Sequence, residues 1–158
     1  MNLSTQLAKQ FREVYFGGNW TWSNMKETLG DVTREEATTQ VGSLNTILKL
    51  TYHIHYFVAV TMKVLEGGPL DAHDKFSFDH PFITTDRDWA AFLETVWANG
   101  EKFAALVEKL PEEQLWETFC DEKYGTYYRN IQGIIEHTHY HLGQIAIVKK
   151  LERDELRA

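Results

Sequence analysis

An all-α fold, a four-helix bundle, is what this sequence predicts, on three observations. Four long stretches carry apolar residues at spacings of three and four, and their interruptions fall where Gly, Pro and Asp cluster. No segment sustains the period-two alternation of a half-buried strand. Four amphipathic helices in 158 residues are the material of a bundle, although periodicity leaves the order of connections open. A chain of this length is expected to form one domain, residues 1–158, burying roughly 68–70% of its unfolded surface without metal or disulfide staples.

The first helix is expected from Asn2 to Phe16, with Leu3, Leu7, Phe11, Val14 and Tyr15 on one stripe and Gly17-Gly18 as its stop. Two short helical turns follow, one opening with Asn24-Met25-Lys26-Glu27 and one with Thr33-Arg34-Glu35-Glu36, both resembling a capping box. The second long helix is expected from Ser43 to Glu66, where Gly67-Gly68-Pro69 ends it. Leu44, Ile47, Leu48, Leu50, Ile54, Phe57, Val58, Val60, Met62, Val64 and Leu65 make this segment apolar almost all round, so it packs on more than one side. From Gly67 to Arg87 runs a connection of about twenty residues, a length typical of lids and binding loops. Its anchors are expected to be Phe76, Phe78 and Phe82. A third helix opens with Thr85 or Asp86 as cap and buries Trp89, Phe92, Leu93, Val96, Phe103, Leu106, Val107 and Leu110. Pro111-Glu112-Glu113 starts a shorter helical piece reaching Phe119. Thr126 then caps a last helix running to Leu156, with Ile131, Ile134, Ile135, Ile145 and Val148 on its core stripe.

Composition removes several classes of function. With 16 Lys+Arg against 23 Asp+Glu, the net charge of −7 has the wrong sign for neutralising nucleic-acid phosphates. The best candidate for a membrane run, Phe57 to Val60, is cut by Thr61 and Lys63, far short of the ~20 residues a membrane helix needs. Cys120 is the single cysteine, which suits a reducing compartment and excludes an internal disulfide. The opening residues lack the charged and apolar regions of a secretory signal, so the expected location is cytoplasmic.

The chemistry sits in the histidines. His137 and His141 are one turn apart on the last helix and project about 40° from each other, close enough for both to reach one cation. They lie on the core side, since His137 follows Ile134 by three and His141 precedes Ile145 by four; His139 points the other way. Core histidines satisfied by hydrogen bonds would show the same spacing. A second supply of imidazole strengthens the metal reading: His53 and His55 interrupt the apolar second helix, where an unpaired polar ring is costly. Residues two apart diverge by about 160°, so only one of this pair can share a site with His137 and His141, and geometry does not say which.

Other signatures are absent. The run from His137 to His141 lacks the Glu of a zincin, and Glu136 to His139 is the only Glu-x-x-His where a di-iron bundle needs two. No P-loop, dinucleotide-binding glycine pattern or paired-cysteine zinc motif occurs, and Cys120 has no activating base in sight.

Two motifs carry a family resemblance. Glu136-His137-Thr138-His139-Tyr140-His141-Leu142-Gly143-Gln144-Ile145 resembles the His-x-x-x-His, x-Gly-Gln-Ile signature of the DinB/YfiT-like superfamily. Leu50-Thr51-Tyr52-His53-Ile54 is similar to that superfamily's second-helix histidine, and Val64 to Asp79 is similar to one of its subgroups. The resemblance, which covers nearly the whole chain, implies an up-down-down-up bundle that is commonly a homodimer. It implies one divalent metal held by His53, His137 and His141, zinc or nickel foremost and iron as a further candidate. Characterised relatives include thiol-dependent S-transferases and an isomerase. The implied activity is therefore that of a metal-dependent hydrolase or thiol S-transferase, on a small-molecule substrate and with a low-molecular-weight thiol as possible partner. Three imidazoles leave a coordination position open, the pattern of catalytic sites. Gln144 shares the face of His137 and His141 and could orient a ligand or substrate, or simply make a capping or interhelical hydrogen bond. No acid or base residue is identified. The alternative is a noncatalytic metal- or ligand-binding bundle that works through dimer contacts.

Overall fold

A computed structural model describes residues 2–155, and among them the protein is all-α. Four long helices, α1 (Leu3–Phe16), α4 (Ile47–Leu65), α5 (Asp86–Glu108) and α6 (Tyr127–Glu155), pack against each other, and two short ones, α2 (Met25–Leu29) and α3 (Arg34–Thr38), bridge α1 to α4. The expected end of the last helix at Leu156 lies outside the described residues.

Helix starts follow side-chain caps that satisfy otherwise orphaned N–H groups. Asn2 accepts from the Thr5 amide at the head of α1, and Asn24 accepts from Glu27 at the head of α2. Reciprocal capping boxes open α3, between Thr33 and Glu36, and α5, between Thr85 and Asp88. Two expected boundaries are corrected. The second long helix begins at Ile47 rather than Ser43, because Thr46 accepts the Lys49 amide and fixes the start; Leu44 thus falls outside the helix and is exposed. The piece after Pro111 is a 3₁₀ turn that stops at Trp116 instead of reaching Phe119. Beyond it Thr118 pairs with Thr126 in an antiparallel bridge, Phe119 N donates to Gly125 O, and Tyr127 N donates to Glu117 O. This hairpin-like return carries a 3₁₀ turn, Glu122–Tyr124, against the start of α6.

α1 packs chiefly on α5, α4 packs on α6 and α5, and α6 also touches α1. Their shared core contains Phe11 and Tyr15 of α1, Ile47, Ile54 and Val58 of α4, Val96 and Phe103 of α5, and Ile131, Leu142 and Ile145 of α6. Leu93 and Leu106, expected on the buried face of α5, are only half-buried. The C-terminal half of α6 is tied to the α2–α3 segment by ion pairs: Arg153 bonds Glu36 (2.6 Å) and Asp31 (2.9 Å), and Lys149 also reaches Asp31. These two cations hold the Asp31 carboxyl down at about 2. No described helix is long and apolar enough to cross a membrane.

α1 and α5 approach closely at a glycine. A Cβ on Gly100 would lie 2.6 Å from Cδ1 of the fully buried Tyr15 ring, which Phe11 and Trp97 hold in place. Gly100→Ala is therefore expected to destabilise by about 1 kcal/mol or more despite its better helix propensity, read as a fall in urea midpoint at unchanged slope.

Candidate metal centre

α4 and α6 are neighbours in the fold, and their contact brings His53 against His137 and His141. The ring centroids are 4.8 Å apart for His53 and His137, 4.7 Å for His53 and His141, and 4.4 Å for His137 and His141. One nitrogen from each ring can be chosen so that all three lie within 4.8 Å of one another, a group that could hold a metal ion. Nε2 of His53 and Nε2 of His137 are 3.1 Å apart. Zinc–nitrogen bonds of about 2.0–2.1 Å place two ligand nitrogens about 3.0–3.4 Å from each other, so this pair already has a coordination spacing.

Neighbouring groups set the tautomers. Ser77 Oγ donates to Asp74 O at 2.7 Å, so it accepts from His53 Nδ1, 3.0 Å away. Gln144 Nε2 donates to the Tyr140 hydroxyl at 3.3 Å, which turns its amide oxygen toward His141 Nδ1 at 2.6 Å. Both histidines thus carry their proton on Nδ1 and leave the Nε2 lone pair bare, the arrangement metal-ligating histidines use. Phe78 stacks on the His53 ring at 4.1 Å and 6°, while Phe57 meets His53 and His137 edge-on at 5.0 and 5.1 Å. Burial pushes His137 down to about 4, helped by the adjacent His141 and His53, and it also lowers His53 and His141. All three are neutral near pH 7. An additional, charging proton on the cluster is thus disfavoured, and a set of neutral nitrogen donors fits a divalent cation.

Of the two candidates on α4, the structure brings His53 and not His55 to this cluster. His55 lies on the other side, edge-on to Phe92 at 6.0 Å, with Nδ1 unpartnered among the described residues and burial pushing its pKa down to about 4. His139 is exposed, as expected, and Cys120 is exposed as well. Gln144 contacts His141 within the same helix, its amide oxygen 2.6 Å from His141 Nδ1. The connection from Gly67 onward supplies the site through Ser77 (1% exposed) and Phe78, but Phe82 is 94% exposed and anchors nothing, contrary to expectation. Sequence reasoning missed Ser77 and Tyr140. A lone serine between two phenylalanines in an irregular segment has no periodic signal; Tyr140, one turn before Gln144, could have been found from helical spacing.

Beside His137 opens a cavity of about 420 Å³ between α4 and the first half of α6, a size usual for small-molecule sites. Its walls include Phe57, Val60, Leu70 and Phe119, with Arg129 and Lys123 at one end and Gly133 on the α6 side. Compared with protein-family models, curated proteins and solved structures, the chain matches none of them.

Proposed function

We propose that this protein is a metal-dependent enzyme of the DinB/YfiT-like type, acting on a small molecule as a hydrolase or a thiol S-transferase. In this reading residues 1–158 form one up-down-down-up four-helix bundle, and His53, His137 and His141 hold a divalent ion, zinc or nickel foremost. The observation that carries it is the convergence of three neutral imidazoles, two with Nδ1 tied to Ser77 and Gln144, at the edge of an open cavity of about 420 Å³. A closed structural site would have four protein ligands and no space beside them. When bound, such an ion supplies a water acidified toward pH 7 or a thiolate stabilised at neutral pH. The chain's own residues orient the ligand nitrogens and shield their ring faces with Phe57 and Phe78. The net charge of −7 speaks against a nucleic-acid substrate. In a screen of ester, amide and thiol-transfer substrates on tag-free protein, turnover is expected to vanish on chelation and return with metal. Equal turnover of a verified substrate after complete metal removal would overturn the proposal.

A second reading, a noncatalytic bundle acting through dimer contacts, has one observation in its favour. Tyr140, Ile147 and Leu151 lie along one side of α6 and, with Leu44, remain exposed, Ile147 at 59%. We propose that this stripe meets a second copy of the chain. Sedimentation is expected to show a dimer that Ile147→Glu dissociates; a wild-type monomer at high concentration would remove the dimer.

A further inference from the structure

The cavity beside His137 has a charge pattern unlike the rest of the molecule. The chain carries an excess of seven acidic groups, yet none of the residues lining this cavity is acidic and two, Lys123 and Arg129, are basic. Lys123 is already occupied, 3.8 Å from Asp121 and over the Tyr124 ring. Arg129 is not: its guanidinium makes one long bond, 3.3 Å to the Tyr124 carbonyl, and pairs with no carboxylate among the described residues. The remaining donors of that fork are free for a planar, bidentate anion.

A second, independent feature is Gly133, inside α6 on the cavity side. A glycine there is unfavourable for the helix. No close packing compensates, because a Cβ at Gly133 would meet nothing within 4 Å. What the missing side chain preserves is open space midway between Arg129 and His137. Those two residues are eight apart on one helix, about 12 Å along its axis, and the wall between them is apolar: Phe57, Val60, Leu70 and Ile134.

We propose that this cavity binds a small organic carboxylate with an apolar body, its acid group on Arg129 and its far end at the histidine cluster. The inference rests on the metal-centre reading for what happens at that far end. One guanidinium without a carboxylate partner, beside a lysine already paired with Asp121, matches the single charge of a carboxylate more closely than the nearly two of a phosphate monoester.

Octanoate and its uncharged counterpart octanamide test this by calorimetric titration of tag-free, zinc-loaded protein, with metal content measured on the same samples. Octanoate is expected to saturate one site about tenfold or more tighter than octanamide. Arg129→Gln, at an exposed position, should erase that difference, and Gly133→Leu should remove binding of both probes while metal content stays as in wild type and melting temperature does not fall. Equal affinity for acid and amide, or an acid preference that survives Arg129→Gln, overturns the carboxylate site. The two readings fail separately. One ion per chain with no acid preference sinks the carboxylate site alone; an Arg129-dependent acid preference in protein that holds no ion supports the carboxylate site and sinks the metal centre.

Discussion

Alanine at His53, His137 or His141 is expected to take tag-free protein from about one bound divalent ion per chain to about none, whereas alanine at His55 or His139 leaves the content near one. The contrast follows from where the rings stand. The first three offer nitrogens within 4.8 Å of one another, and removing any of them leaves two ligands, too few to compete with water. His55 faces Phe92 across α4, and His139 faces solvent. Elemental analysis after gel filtration reads the stoichiometry, and far-UV dichroism checks that each variant keeps its helices. Retention is expected there, because the four helices share a core of Phe11, Ile54, Phe103 and Ile145 that needs no ion. Should a cavity at His137 loosen the fold, His137→Gln keeps the volume and removes the ligand nitrogen. Equal loss of metal from His55→Ala, or full occupancy in any of the three ligand variants, would contradict the assignment.

How much of this site could be read in the chain depends on where periodicity exists. On α6 the core stripe of Ile131, Ile134, Ile135 and Ile145 fixes the helix's rotation, so His137 and His141 could be placed inward and together from spacing alone. On α4 the same reasoning fails. Its buried residues include Leu48, Leu50, Ile54, Val58, Val60 and Met62, which face more than one direction because α4 packs on both α5 and α6. A helix apolar all round does not reveal which side a polar residue takes, and His53 could be chosen over His55 only through the motif resemblance. The start of α4 is hidden for a related reason: Leu44 fits the apolar pattern, but the hydroxyl of Thr46 decides where the first amides are satisfied. In the connection from Gly67 to Thr85 no period applies. Phe78 and Phe82 are indistinguishable as letters, yet one stacks on His53 and the other stands in solvent. The cavity's basic end was equally illegible, since Lys123 and Arg129 come together only when the chain folds back through the Thr118–Thr126 bridge.

The groups behind the ligands give the second large effect. Ser77→Ala and Gln144→Ala are each expected to weaken metal binding about 10–100-fold, the usual consequence of releasing a ligand's second nitrogen. In the present geometry the Ser77 oxygen accepts from His53 Nδ1 because its own proton is committed to Asp74 O, and the Gln144 oxygen accepts from His141 Nδ1 because its amide nitrogen is committed to Tyr140. Without these acceptors each imidazole is free to move its proton to Nε2, which removes the lone pair from the centre, and to rotate out of the cluster. A purely structural role for Gln144 makes a different forecast. Gln144→Glu keeps an acceptor facing Nδ1 and makes the imidazole more basic, so it is expected to hold metal at least as well as wild type, while Gln144→Ala does not. The measurement is competition with a chromophoric chelator at pH 7, beside melting temperatures of the metal-free proteins. If Gln144→Glu and Gln144→Ala lose affinity equally and both melt lower without metal, the glutamine serves packing and not ligand orientation. If affinity separates them while their metal-free melting temperatures agree, the hydrogen bond to His141 is what tunes the site.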